Sequence, residues 1–273
     1  MSGTLYIIGT PIGNMEDITL RQLRMLEEVD FICAEDTRVT LKLLNRYEIK
    51  NELVSFHEHS SRAEAQHIID RLLSGQSCGV VTDAGMPCIS DPGEVLVKLA
   101  YENGVDVRAV PGPAAVTTAA ALSGLHVGRF TFEGFLPVGK KERSERLDLI
   151  RSETGVMIFY EAPHKLRATL SDLAEAFGGD RRISLCREIT KLHEETLRMT
   201  IAEAQAYYSE NETRGEYVLV VEGMSTEAEQ LTLEEALAQV KKLIDMGEKP
   251  TDACKAVAKE TGFKKGELYS ALQ

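Results

Sequence analysis

Short apolar, β-branched runs alternate with segments of helical period along the first 122 residues. Residues 5–8, 30–34, 53–56, 78–82 and 105–110 read as strands, and residues 19–28, 39–46, 61–73, 94–102 and 114–122 as helices. Thr19 with Gln22, and Ser61 with Glu64, have the spacing of capping boxes, which fixes where two of those helices start. Strands that alternate with helices predict an α/β domain with a largely parallel sheet covered on both faces. The rhythm then changes. Residues 130–134, 156–160, 183–186, 194–199 and 216–221 read as strands and 165–176 as a helix, and short links between some of these strands predict a mixed α+β second domain. The tail reads as three helices, at 233–246, 251–261 and 264–272. Thr232 and Glu235 form a further capping box, and the turn Thr261-Gly262-Phe263 resembles a helix-turn-helix joint. The expected division is 1–123, 124–224 and 225–273, with a hinge at residues 123–128.

Composition narrows the picture. The chain has 273 residues and a hydrophobic share of 43%, enough for a sizeable core, and none of its apolar runs nears the roughly 20 residues of a membrane span. Residues 1–8 lack a basic stretch and run directly into a strand, so no signal peptide is expected. The five cysteines are widely spaced and form no CxxC, which argues against a disulfide framework or a zinc site and fits a reducing cytoplasm. The net charge of -12 opposes a protein that grips bare nucleic acid over a basic face. Contact with RNA would need local basic patches, or a substrate already covered with protein. The tail from Ala238 is locally basic, with seven lysines against five acids. A small helical appendage and a nucleic-acid docking module are both open readings.

The candidate chemistry lies in the loops. Gly9-Thr10-Pro11-Ile12-Gly13-Asn14, the stretch from Asp83 to Gly93, and Pro111-Gly112-Pro113-Ala114-Ala115 each follow a predicted strand. In a parallel sheet all three would open on one edge, where α/β folds bind ligands. Glycine permits close backbone approach and proline stiffens the bend. Such loops suit a flat, neutral base held by main-chain groups. The chain has neither GxxxxGK[ST] nor GxGxxG in the first loop, which disfavours a triphosphate site and a Rossmann dehydrogenase. The alternative is that these are ordinary tight turns. Glu35-Asp36-Thr37-Arg38 follows the second strand. It reads either as a local cluster, with Asp36 or Thr37 capping the next helix and Arg38 paired to Glu35, or as a substrate-facing group. The basic stretch from Lys140 to Arg151 reads as a solvated helix or an RNA-backbone contact.

Taken in order, these loops together with Phe159-Tyr160-Glu161-Ala162-Pro163-His164 and Arg187-Glu188-Ile189-Thr190-Lys191 resemble the tetrapyrrole methylase superfamily. Within it they resemble the branch of 16S rRNA cytidine-2'-O-methyltransferases. The resemblance spans residues 4–223 and extends to the tail. It implies a two-domain methylase fold with a helical extension, a homodimer, and S-adenosylmethionine in the cleft between a parallel-sheet and a mixed-sheet domain. By motif, the cofactor contacts would be Pro11, Ala84, Gly85, Met86, Ile89, Ala114 and Ala115, with Tyr160 and Glu161 closing the pocket. Porphyrinoid-methylating relatives carry Gly-Asp-Pro where this chain has Gly85-Met86-Pro87, and a different first loop, which favours the ribosomal branch.

Methyl transfer to a ribose hydroxyl needs no metal but needs a proton acceptor within hydrogen-bond reach. Glu35, Asp36, Glu161 and His164 are the candidates, and Arg38, Arg187 and Lys191 are candidates for phosphate contact. The expected substrate is 16S rRNA, within the assembled small ribosomal subunit. The rivals are a superfamily methyltransferase acting on a porphyrinoid or a protein, and a nucleotide-sensing regulator whose tail binds DNA.

Overall fold

Strands β1 (Thr4–Ile8), β2 (Phe31–Ala34), β3 (Leu53–Ser55), β4 (Cys78–Val81) and β5 (Asp106–Val110) alternate with helices α1 (Leu20–Glu28), α2 (Thr37–Arg46), α3 (Arg62–Leu73) and α4 (Glu94–Glu102). The strands form one sheet in the order β3-β2-β4-β1-β5, with every neighbouring pair parallel. Central strands β2 and β4 are buried along their whole length, because helices cover both faces. Met25 and Leu26 of α1 and Leu43 and Leu44 of α2 pack on Ile8, Ile32, Val81 and Val110. On the other face Ile68, Ile69 and Leu72 of α3 and Leu96 of α4 pack on Leu5, Phe31 and Val80. Both predicted capping boxes, at Thr19 and Ser61, are formed.

The computed structural model describes residues 2–225, 233–261 and 263–272. After β5 the chain changes partner. Helix α5 (Ala115–Leu122) lies not on the first sheet but on a second, formed by β6 (Phe130–Phe135), β7 (Val156–Glu161), β8 (Arg182–Arg187), β9 (Glu195–Thr200) and β10 (Tyr217–Val221). The order here is β6-β7-β10-β8-β9. Only β6 and β7 run parallel among the neighbours; the other pairs are antiparallel. Val116, Ala119 and Ala120 of α5 cover one face against Ile158, Cys186, Val218 and Val220. Helices α6 (Lys140–Ile150), α7 (Leu166–Phe177) and α8 (Ile201–Glu210) cover the other. Helix α8 is not among the elements expected from the sequence. Strands β9 and β10 both run antiparallel to β8 and so point the same way, which requires a crossover, and α8 provides it behind a capping box of Thr200 and Glu203.

Both sheets belong to one compact unit, Met1–Gly223; Met224–Gln273 form a second. In the second unit α9 (Leu233–Asp245), α10 (Pro250–Thr261) and α11 (Lys265–Ala271) enclose a small core of Ala236, Val240, Ala253, Cys254, Val257 and Leu268. The expected capping box at Thr232 and the joint at Gly262 lie outside the described residues. Among the described residues, no helix is long and apolar enough to cross a membrane.

Candidate active site

Because the first sheet is parallel, the segments after β1, β2, β4 and β5 emerge on a single edge, and hydrogen bonds stitch them together. Thr10 and Gly85 exchange two backbone hydrogen bonds, of 2.9 and 3.1 Å. The Thr10 hydroxyl donates to the carbonyl of Thr82 at 3.1 Å. Gly85 takes φ +90°, where a side chain would be strained. The first and third loops meet at Gly9 and Gly112. A Cβ on Gly112 would stand 3.0 Å from the Gly9 Cα and 2.1 Å from Gln22 Nε2. Gln22 is buried there and donates to the Gly9 carbonyl at 2.7 Å. The Gly112 N–H donates to Met86 Sδ at 3.3 Å, so the Met86 side chain is turned inward beneath the loops.

Small and apolar groups gather where these loops meet the second sheet. Ile12, Ala114, Ala115 and Tyr160 pack together on the face covered by α5. Phe132 and Phe135 hold the Tyr160 ring edge-on, at centroid distances of 4.9 and 5.6 Å. Burial, with the Asp91 charge nearby, raises the Tyr160 hydroxyl above its usual pKa. A cavity of about 420 Å³ extends from Ile12, Gly112 and Pro113 to Ile189 and Thr190. Pro11 is half-buried, and Ala84 and Ile89 are exposed on the same loops.

Carboxylates line the other side of the edge. A second cleft, of about 870 Å³, is bordered by Glu35, His57, Ser90, Asp91 and Lys98. Burial, together with the charges of Glu35 and Asp83, pushes the Asp91 carboxyl up to about 6, and burial also raises Asp83. Cys88 and Ser90 take left-handed backbone, with φ +70° and +63°, a strain that concentrates at functional segments. Ser90 also reaches the second sheet: a Cβ on Gly134 would stand 3.2 Å from its Oγ. Asp36 caps α2 and binds the Arg38 guanidinium through both oxygens, which holds its carboxyl at about 2. Arg38 therefore pairs with Asp36 and not with Glu35, the partner that one of the two sequence-based alternatives gave it; Glu35 instead accepts from the Thr82 hydroxyl at 2.6 Å.

The remaining predicted residues lie apart from this cluster. Alternation along β7 turns Tyr160 toward α5 and Glu161 to the opposite face. There Glu161, only 5% exposed, accepts hydrogen bonds from the Thr169 hydroxyl and the Ala162 N–H. Arg143 donates to Thr169 at 2.7 Å and completes that network. His164 is exposed in the turn after β7. Arg187 pairs with Glu195 at 3.2 Å. Lys191 pairs with Glu188 and Glu216, each at 2.8 Å, and its stem lies against Gly13. Sequence reasoning missed Thr82, Asp83 and Asp91 as site residues. Asp91-Pro92-Gly93 stands out as a motif, but the strongest charge acting on its acid, Glu35, comes from the end of another strand and leaves no local spacing to read.

A parallel sheet and a mixed sheet within one unit, sharing a loop-lined edge, are the architecture of an α/β methylase. The chain belongs to the family described as Tetrapyrrole (Corrin/Porphyrin) Methylases, which matches residues 4–205. Among solved structures, it shares its fold with diphthine synthase (TM-score 0.64, 15% identity, 82% of this chain and 91% of that one). It also shares it with uroporphyrin-III C-methyltransferase from Thermus thermophilus complexed with S-adenosylhomocysteine (TM-score 0.56, 15% identity, 81% and 97%). Two curated relatives are both named Ribosomal RNA small subunit methyltransferase I. The protein of Halalkalibacterium halodurans is 43% identical over 272 residues, 98% of this chain and 94% of its own length. That of Thermotoga maritima is 47% identical over 221 residues, 81% of this chain and 99% of its own. The family and the two-sheet fold expected from the motifs are borne out.

Proposed function

We propose that the chain transfers a methyl group from S-adenosylmethionine to the ribose 2'-hydroxyl of a cytidine in 16S rRNA. The observation that carries this reading is the shared edge. One side offers small apolar groups, and the other a half-buried carboxylate, Asp91, whose pKa is raised to about 6. The similarity to relatives named for small-subunit rRNA supports the substrate class.

The residues present fit the cofactor. Main chain and small side chains suit an adenosine, and the charges nearby, Glu35, Asp83 and Asp91, are negative, as a sulfonium requires. Pro11, Ala84, Gly85, Met86, Ile89, Ala114, Ala115 and Tyr160 would hold it, and Glu161 would support Tyr160 from behind the strand. When bound, S-adenosylmethionine supplies an electrophilic methyl together with its own leaving group. The protein must align the incoming hydroxyl and take its proton. Asp91 suits the role of proton acceptor, because near 6 it is ionised at neutral pH yet more basic than an ordinary carboxylate. Asp36, committed to Arg38, is a poor acceptor. Glu35 borders the same cleft and is the next candidate.

Arg187 and Lys191 are already paired, so a phosphate would have to displace a carboxylate from them. With a net charge of -12, the protein gains little from bare RNA. With labelled cofactor in excess, we expect methylation of assembled 30S subunits to be at least several-fold faster than that of protein-free 16S rRNA. Equal rates would defeat this expectation. Label on a precorrin or a protein, and none on RNA, would replace the substrate class. Resistance of one phosphodiester to alkaline cleavage would identify a 2'-O-methyl product. The expected setting is the cytoplasm and the expected assembly a homodimer, which light scattering tests directly.

A further inference from the structure

Strands β6 and β7 run parallel, so α6 and α7, which follow them, both start at the edge where those strands end. That edge adjoins the candidate active site. Phe135 and Tyr160 are paired at the strand ends, and Gly134 lies against Ser90 of the acid loop. From here a groove of about 690 Å³ runs back between α6 and α7. Arg143 clamps its two walls together. It donates to Asp172 at 2.5 Å, to the Thr169 hydroxyl at 2.7 Å and to the Pro137 carbonyl at 3.5 Å. The clamp holds both helix starts and the Pro137 turn in place.

Charge is unevenly placed along the groove. Lys140, the first residue of α6, and Lys165, just before α7, stand exposed at its mouth. The neighbouring cations of α6 are committed: Lys141 to Glu145, Arg143 to Asp172 and Arg146 to Glu133. Lys140 and Lys165 stay unpaired among the described residues. Glu142 is folded back on Gly139. Further along the groove Asp148 and Glu175 accompany Arg151. A phosphate chain is therefore attracted to the mouth and opposed deeper in.

We propose that the RNA strand flanking the methylated nucleotide crosses this mouth, with its phosphates on Lys140 and Lys165. This rests on the reading of RNA as the substrate. Exposed Phe135 and Val138 lie on the way from Tyr160 to the mouth and offer apolar cover for a sugar or a base. The occupant is RNA and not an acidic peptide, because the strand on either side of a target nucleotide has to pass beside the methyl-transfer edge. An ammonium group on a flexible stem follows a phosphate as a point charge, so these contacts position the strand without reading its sequence.

The double variant Lys140→Gln/Lys165→Gln tests this through binding to 30S subunits over a salt series. The slope of log K against log salt is expected to flatten by about 1–2, and affinity near about 0.1 M salt to fall about tenfold, as the loss of two phosphate contacts requires. With labelled cofactor, the change is expected in KM for the subunit far more than in kcat. Calorimetric titration with S-adenosylmethionine checks that the variant is folded. Lys42→Gln/Lys50→Gln removes the same charge from exposed positions elsewhere and should keep the wild-type slope and KM. An equal loss in that control, or an unaltered slope in the Lys140/Lys165 variant, would overturn the proposal. Val138→Cys carrying a benzophenone identifies the occupant. We expect it to crosslink to 16S rRNA above the background of equally treated wild type; crosslinks confined to ribosomal proteins would also overturn the proposal. RNA methylation that is indifferent to both lysines sinks the groove alone, whereas a wild-type enzyme that labels no RNA sinks the substrate reading itself.

Discussion

Replacing Asp91 by asparagine is expected to lower kcat by about 10²–10⁴, the usual contribution of a positioned general base, while S-adenosylmethionine affinity stays within about twofold. Asparagine keeps the shape and a hydrogen-bonding oxygen but cannot accept the proton. The same variant is expected to be more stable than the wild type at pH 7. The Asp91 carboxyl titrates near 6 in the folded protein against 3.8 for the unperturbed acid, because burial and the Glu35 charge oppose its ionisation. The stability linked to this group is therefore fully present below about pH 4 and is lost as pH rises through 6. Asparagine avoids that loss, so the Tm advantage of Asp91→Asn should appear above pH 6 and vanish near pH 4. An inactive but stabilised variant is the signature of a residue kept for chemistry at the expense of stability. Wild-type turnover with both substrates saturating would remove Asp91 from the mechanism and turn attention to Glu35.

Gly112→Ala is expected to destabilise the protein by about 2–4 kcal/mol, from overpacking and a lost buried hydrogen bond together, and to weaken cofactor binding more than tenfold. The new Cβ would overlap Gln22 Nε2 at 2.1 Å. Gln22 has nowhere to go: it is fully buried, its Oε1 accepts from the Thr19 N–H at 2.5 Å, and its Nε2 donates to the Gly9 carbonyl at 2.7 Å. Moving it breaks the α1 capping box and leaves the Gly9 carbonyl without its buried partner. The backbone cannot yield either, since Gly9 Cα lies 3.0 Å from the same position. Both loops that would hold the adenosine are therefore disturbed by one methyl group. Gly266→Ala is the control for affinity, because a Cβ there meets nothing within 4 Å; alanine favours helix α11 by up to about 1 kcal/mol and should leave cofactor affinity unchanged. Denaturant unfolding and calorimetric titration read the two effects. Unaltered cofactor affinity in Gly112→Ala would show that the pinch between the two loops does not shape the binding site.

The sequence by itself determined whatever depends on near neighbours. Alternation of strand and helix periods defined the first domain, and the Thr19–Gln22 and Ser61–Glu64 spacings placed two helix starts. Glycine and proline marked the loops, and parallel pairing then required them to open together. Other features were decided only by tertiary structure. Helix α5 follows the first sheet in sequence yet covers the second, because its small side chains fit against Cys186 and Val218. Strand register separates Tyr160 from Glu161, which motif order had placed in one pocket. Glu195 across the β8–β9 pair neutralises Arg187, and Glu216, from the start of a more distant strand, joins Glu188 on Lys191. The Asp91 carboxyl owes its elevated pKa to burial and to the charge of Glu35 at the end of β2. Propensity and turn chemistry act over a few residues and so can be read along the chain. Desolvation and charge–charge coupling act through space, and become defined only when strands far apart in sequence lie side by side.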